Sequence, residues 1–162
     1  MLKLYGFTVS NYFNMVKLAL LEKDADFEWV ECYPDQGEEF LAKSAIGKVP
    51  CIETDQGFLT ETNIILDYLE NTLGAPTFYP EDPWEKAKVQ ELMKYTELYI
   101  ELVARRCYPE AFFGGQVSDE TKEQVQAGLV KGVAALRRIA KFEPYLAGPK
   151  LTYADFLFAY SM

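Results

Sequence analysis

The sequence predicts an α/β unit over residues 1–74, a linker over residues 75–84 and an all-helical unit over residues 85–162. Three observations predict this. Up to Thr72, short alternating segments are interleaved with amphipathic helical runs. Pro76, Pro80 and Pro83 then crowd a stretch that neither helix nor strand tolerates well. Beyond them the apolar spacing becomes helical and stays so.

Leu2-Lys-Leu-Tyr5 alternates as a short strand does, and Gly6 ends it. Phe13, Val16 and Leu20 recur at spacings of three and four, and Glu22-Lys-Asp24 closes that helix with a polar end. A second strand is predicted over Phe27 to Cys32, broken by Pro34 to Gly37, with a short, weakly patterned helix over Glu38 to Lys43. Cys51 to Thr54 and Phe58-Leu59 flank Asp55-Gln-Gly57, the turn chemistry of a hairpin. Ile65, Tyr68, Leu69 and Thr72 mark the helix that follows. The order for the first unit is β-α-β-α-β-β-α.

In the second unit Val89, Leu92, Thr96, Tyr99 and Val103 form one helical stripe, and Val125, Leu129, Val133, Leu136 and Ala140 another. Tyr95, Tyr99 and Arg105 to Tyr108 are expected mainly in core or subunit contacts, as aromatic stripes at helical spacing usually are. Leu151-Thr-Tyr-Ala-Asp155-Phe156 carries a helix start, with Thr152 as N-cap, Asp155 at N3 and Leu151 stapled to Phe156. The sequence stops at Met162, about two turns into that helix, so the helical unit is expected to be incomplete. With these 162 residues alone, the helix from Thr152 is expected to expose Phe156, Leu157 and Phe158 to water.

Apolar residues make up 49% and aromatics 15%, enough for a packed core and too many for disorder. Sixteen Lys and Arg against 25 Asp and Glu give a net charge of -9, which disfavours nucleic acid and anionic lipid as partners. No apolar run approaches the roughly 20 residues that span a bilayer, and the N-terminus does not read as a signal peptide. A cytoplasmic protein is expected. Cys32, Cys51 and Cys107 lie far apart with no metal-ligand spacing, and there is no histidine. Ser-His-Asp and Cys-His catalysis are thereby excluded, and no metal is expected.

Three local signatures occur in fixed order: Ser10-Asn-Tyr-Phe-Asn-Met-Val-Lys17 entering the first helix, Gly47-Lys-Val-Pro-Cys51 entering the third strand, and Thr60-Glu-Thr62 entering the last helix of the first unit. With them the chain resembles the glutathione transferase superfamily over its whole length, and bacterial members particularly. The Thr152 to Asp155 box resembles that family's folding signature. Two departures stand out: Ala45-Ile46 precedes Gly47 where Asn-Pro is frequent, and Thr62 stands where serine is usual.

The resemblance implies a thioredoxin-like first domain that binds glutathione as co-substrate, a helical second domain that shapes an acceptor pocket, and a homodimer. It implies a cis Val49-Pro50 bond, with Val49 offering its backbone N–H and C=O to the ligand's cysteinyl residue as an added strand does. Glu61 is implied to meet the γ-glutamyl ammonium and Thr62, with its N–H at a helix start, the carboxylate. Read without the resemblance, Thr60 is an N-cap and Glu61 a favourable first-turn charge. Lys48 and Gln36 are implied at the glycine end of the ligand; Lys48 also reads as a solvated charge.

Ser10 lies where thioredoxin-like redox enzymes place a reactive cysteine. A hydroxyl there points to holding glutathione's sulfur as thiolate, with the helix N-terminus assisting. Tyr5 and Tyr12 are the phenolic rivals, and plain capping is the structural alternative for Ser10. The function that follows is a glutathione S-transferase, whose thiolate attacks a small, apolar electrophile. Two alternatives differ in kind: a non-catalytic, transferase-like adaptor or stress protein, and a glutathione-dependent reductase or peroxidase, which normally needs cysteine at position 10.

Overall fold

The computed structural model describes Met1–Met162 and divides into two compact units, Met1–Phe78 and Tyr79–Met162. In the first, β1 (Leu2–Gly6), α1 (Asn11–Glu22), β2 (Phe27–Glu31), α2 (Glu38–Leu41), β3 (Cys51–Thr54), β4 (Gly57–Thr60) and α3 (Thr62–Thr72) follow the order the alternation predicted. The sheet runs β2-β1-β3-β4, with β1 and β2 parallel and the other pairs antiparallel. This is a thioredoxin-like α/β arrangement. Leu4 and Ile52 from the sheet, Phe13, Val16 and Leu20 from α1, and Ile65, Leu66 and Leu69 from α3 are all buried and make the core.

The predicted polar end of α1 is not uniformly polar in its surroundings. Lys23 is buried at the C-cap, where its ammonium is 2.9 Å from Glu70 and donates to the Gly74 and Pro76 carbonyls at 3.3 and 2.7 Å. The Phe78 N–H donates to the same Glu70 carboxylate at 2.9 Å. A cation at a helix C-terminus is favoured by the dipole, and here it also anchors the chain that leaves α3.

The second unit is helical: α4 (Pro83–Thr96), a π-helical turn (Glu97–Glu101), α5 (Leu102–Ala104), a 3₁₀ turn (Arg105–Cys107), α6 (Tyr108–Phe113), α7 (Asp119–Ile139) and α8 (Tyr153–Ser161). Asp82 caps α4 by accepting the Glu85 N–H, and Ser118 caps α7 by accepting the Thr121 N–H. The predicted stripe departs from the structure at the π turn, which accommodates an extra residue. Ile100 and Glu101 turn inward there, and Tyr99 is 48% exposed. Buried Glu101 is paired with Arg105.

On α7 the inward positions are Val125, Gly132 and Leu136, while Val133 faces out. Counting only apolar side chains missed the glycine. A Cβ on Gly132 would stand 2.1 Å from the Tyr99 carbonyl oxygen, whereas one on Gly128 would meet only the Val103 side chain at 2.9 Å. Gly132→Ala is therefore expected to destabilise the protein by about 1 to 3 kcal/mol through overpacking against backbone. At Gly128→Ala the movable Val103 and the gain in helix propensity of roughly 1 kcal/mol should leave stability nearly unchanged. Urea denaturation of the two variants tests the contrast, and equal midpoints would contradict it.

The predicted box at α8 is present. Asp155 accepts the Thr152 N–H at 2.8 Å and its hydroxyl at 2.9 Å, and also the Leu146 N–H at 2.7 Å. The expected exposure of this helix is corrected: Phe156 and Leu157 are buried and Phe158 stacks edge-on with Phe142, because α8 packs on α4. No helix is long and apolar enough to cross a membrane.

Candidate functional site

Strand register decides which loops meet. Tyr5, near the end of β1, pairs with Cys51, the first residue of β3, and Cys51 pairs with Thr60, the last of β4. Gly6 pairs with Glu31, the last of β2. The segments that follow β1, β2 and β4 and the one that precedes β3 therefore emerge at one end of the sheet. They carry Ser10 and Tyr12, Gln36, Glu61 and Thr62, and Lys48, Val49 and Pro50 respectively.

Ser10 is the N-cap of α1, with its Oγ accepting the Phe13 N–H at 3.3 Å. A hydroxyl carries one donor and two acceptor lone pairs, and capping uses only an acceptor. Tyr12 is half-buried in the first turn of α1. Tyr5 is committed elsewhere: its hydroxyl donates to Glu53 at 2.5 Å. Burial, followed by that hydrogen bond and the Glu53 charge, pushes the phenol above its ordinary range. Conversely, the Tyr5 hydroxyl and then Lys3 hold Glu53 below its usual range. Tyr5 lines, with Cys32, Phe40 and Lys43, a cavity of about 480 Å³ beside α2.

The Lys48 turn is held by Ser44, which carries no motif signal of its own. Fully buried Ser44 donates its hydroxyl to the Lys48 carbonyl at 2.8 Å and accepts the Lys48 N–H at 3.1 Å. Gly47, at φ +67, has no room for a Cβ, which would lie 2.2 Å from the Asp35 carbonyl oxygen. The Asp35 N–H bonds the Gly47 carbonyl, and the Gln36 amide donates to the Ile46 carbonyl at 3.2 Å, so the Gln36 and Lys48 segments are tied together. Lys48 is exposed, Val49 half-buried and Pro50 buried. The Val49-Pro50 bond is cis, and no backbone hydrogen bond within the chain engages Val49.

Glu61, not Thr60, occupies the cap position of α3; Thr60 is the last residue of β4. Glu61 is exposed and holds φ +68, ψ +112, a conformation costly for any residue but glycine, of order 1 to 3 kcal/mol. Its side chain does not cap the helix, and buried Thr62 follows it. All three cysteines are free. The buried Cys51 thiol is pushed up to about 11, chiefly by desolvation, and no cysteine stands at the start of α1. No cluster of three His, Cys, Asp or Glu side chains could hold a metal ion.

Comparison with known proteins bears on this arrangement. Residues 4–77 match the family model described as glutathione S-transferase, N-terminal domain. A Pseudomonas putida protein named glutathione S-transferase is 54% identical over 162 residues, all of this chain and 74% of its own length. A probable glutathione S-transferase of Nicotiana tabacum is 27% identical over 155 residues, 94% of this chain and 66% of its own length. The structure of glutathione transferase E6 from Drosophila melanogaster superposes with a TM-score of 0.84 at 26% identity, covering 99% of this chain and 75% of that one. The identity to the bacterial relative, the N-terminal match and the shared fold together show that the chain belongs to the glutathione S-transferase family.

Proposed function

We propose that the chain binds glutathione at the shared end of its sheet and, through Ser10, activates the thiol for attack on an electrophilic, apolar acceptor. Ser10 capping α1 is the observation that supports this reading most. Its Oγ accepts from Phe13, which leaves the O–H to donate to a thiolate seated at the helix N-terminus. Lowering a thiol from about 8.5 by roughly two pH units requires about 2.7 kcal/mol. A hydrogen bond to a charged acceptor contributes about 1.5 to 3 kcal/mol and the helix terminus about 0.3 to 1 more. The thiol proton leaves to solvent, a carbon–sulfur bond forms to the acceptor, and the leaving group departs with its bonding electrons.

Val49 supplies strand-like backbone pairing to the cysteinyl residue of the ligand, a role compatible with its unengaged N–H and C=O. Thr62, with its own N–H at the start of α3, takes the γ-glutamyl carboxylate, and Glu61 takes the ammonium. The positive φ of Glu61 agrees with a ligand role, since strain of this kind gathers at functional sites. Lys48, with Gln36 beside it, meets the glycine carboxylate. The active form is a homodimer located in the cytoplasm.

Glu61→Ala should weaken glutathione binding by about 1.5 to 3 kcal/mol, the loss of a charged hydrogen-bonding partner, while folding survives. Calorimetric titration checks it. Unchanged affinity would leave Glu61 as an exposed cap residue with no part in binding. Stabilisation of the wild-type chain against heat by glutathione separates the transferase reading from an adaptor, because a ligand at 100 times its Kd adds about 2.7 kcal/mol.

A further inference from the structure

The turn between β1 and α1, which carries Ser10, is gripped by one residue of the neighbouring strand. Trp29 of β2 donates its indole N–H to the Gly6 carbonyl at 2.8 Å, and its ring packs 5.6 Å from that of fully buried Phe13 on α1. Both contacts lead to Ser10. Gly6 is the last residue of β1, and the next carbonyl, that of Phe7, accepts the Ser10 N–H at 3.0 Å. Phe13 is the residue whose N–H the Ser10 Oγ accepts.

The grip is specific to the indole. The Cys32 N–H also reaches the Gly6 carbonyl, but at 3.3 Å, so Trp29 supplies the shorter of the two bonds. Trp29 is 40% exposed, so water could satisfy its N–H if the Gly6 carbonyl did not. Strand end and helix are also in close contact: a Cβ on Gly6 would lie 2.4 Å from the Phe13 ring. Lys17, one turn beyond Phe13, is the charged group that faces the indole, with its ammonium 4.6 Å from the ring centroid. A hydrogen bond weakens steeply as its angle departs from linear, so the aim of the Ser10 O–H depends on where this turn is held.

We propose that Trp29 is a positioning residue for Ser10: by holding the Gly6 carbonyl and bracing Phe13, it fixes the turn that aims the Ser10 O–H at the thiol of glutathione. The proposal rests on the Ser10 reading above and adds to it a residue that acts through Gly6 and Phe13.

Trp29→Phe keeps an aromatic ring beside Phe13 and Lys17 and deletes the N–H. The test is a pH titration of thiolate absorbance for bound glutathione in wild type, Trp29→Phe, Ser10→Ala and the double variant. Trp29→Phe is expected to raise the midpoint by about 0.5 to 1 unit, less than Ser10→Ala does at its largest, because the hydroxyl stays and only its aim is lost. From a wild-type midpoint near 6.5, the rate at pH 7 should fall about 1.5- to 3-fold and recover above about pH 8.5. In the Ser10→Ala background Trp29→Phe should add no further shift, since no hydroxyl is left to aim. A midpoint that moves with Ser10→Ala and not with Trp29→Phe overturns the proposal and leaves the Ser10 reading standing. A midpoint unmoved by Ser10→Ala overturns both. The proposal is also overturned if Trp29→Phe shifts the midpoint equally with and without the Ser10 hydroxyl, or if Lys17→Gln shifts it as much, because the effect then belongs to general packing or to charge.

Discussion

Lys23→Met is expected to destabilise the protein by about 3 to 5 kcal/mol, the usual consequence of removing one partner from a buried ion pair. The ammonium is fully enclosed and the Glu70 carboxylate nearly so. The substitution takes the cation away from that carboxylate, to which the Phe78 N–H still donates, and it leaves the Gly74 and Pro76 carbonyls without the Lys23 donor. It also removes the cation over the Phe78 ring, 5.3 Å from its centroid. Against a total stability of about 5 to 15 kcal/mol the loss is severe. Lys23→Met/Glu70→Gln should recover part of it, because a neutral amide costs less to bury and still accepts from Phe78. Urea denaturation of the single and double variants gives both numbers. A loss under about 1 kcal/mol for Lys23→Met would show that the pair behaves as a surface bridge.

The second large effect concerns Ser10→Ala, which should raise the pKa of bound glutathione by about 1 to 2 units, the equivalent of a lost charged hydrogen bond of about 1.5 to 3 kcal/mol. From a wild-type value near 6.5, the thiolate fraction at pH 7 then falls by about 3- to 25-fold, and the rate with it. The sign fixes the remedy: raising the pH past the new pKa restores thiolate and should restore rate. Removing the cap also costs about 0.5 to 2 kcal/mol of stability. A rate loss that came from unfolding would not recover at high pH, so the profile separates the two causes. Affinity should change less than rate, since contacts through Val49 and Glu61 do not involve the hydroxyl.

Much of the first unit was legible because alternation and helical spacing are local properties. Leu2 to Tyr5, Phe27 onward and the Asp55 hairpin fall where the pattern put them. The Asp155 box was equally readable, being a contact between residues three apart. What escaped is tertiary. Lys23 looks like any polar residue at a helix end until residues about fifty positions away close over it. Gly132 has no hydropathy to count, and its role comes from the Tyr99 carbonyl on another helix. The π turn at Glu97–Glu101 sends Tyr99 outward with no local sequence signal that was recognised. Within the site, Ser44 braces Lys48 through a buried hydroxyl, and Glu61 takes a positive φ that residue type alone would argue against.

The central claim is that a serine hydroxyl, and not a phenol, holds the thiolate, and a pH titration of thiolate absorbance for bound glutathione tests it most directly. Wild type, Ser10→Ala and Tyr5→Phe should be compared under one set of conditions. The wild-type midpoint is expected about two units below the ordinary thiol value of about 8.5, and Ser10→Ala should move it up by about 1 to 2 units. Tyr5→Phe should leave it in place, since that hydroxyl is already donated to Glu53. A midpoint that shifts with Tyr5→Phe and stays fixed with Ser10→Ala would contradict the assignment and give the chemistry to the phenol.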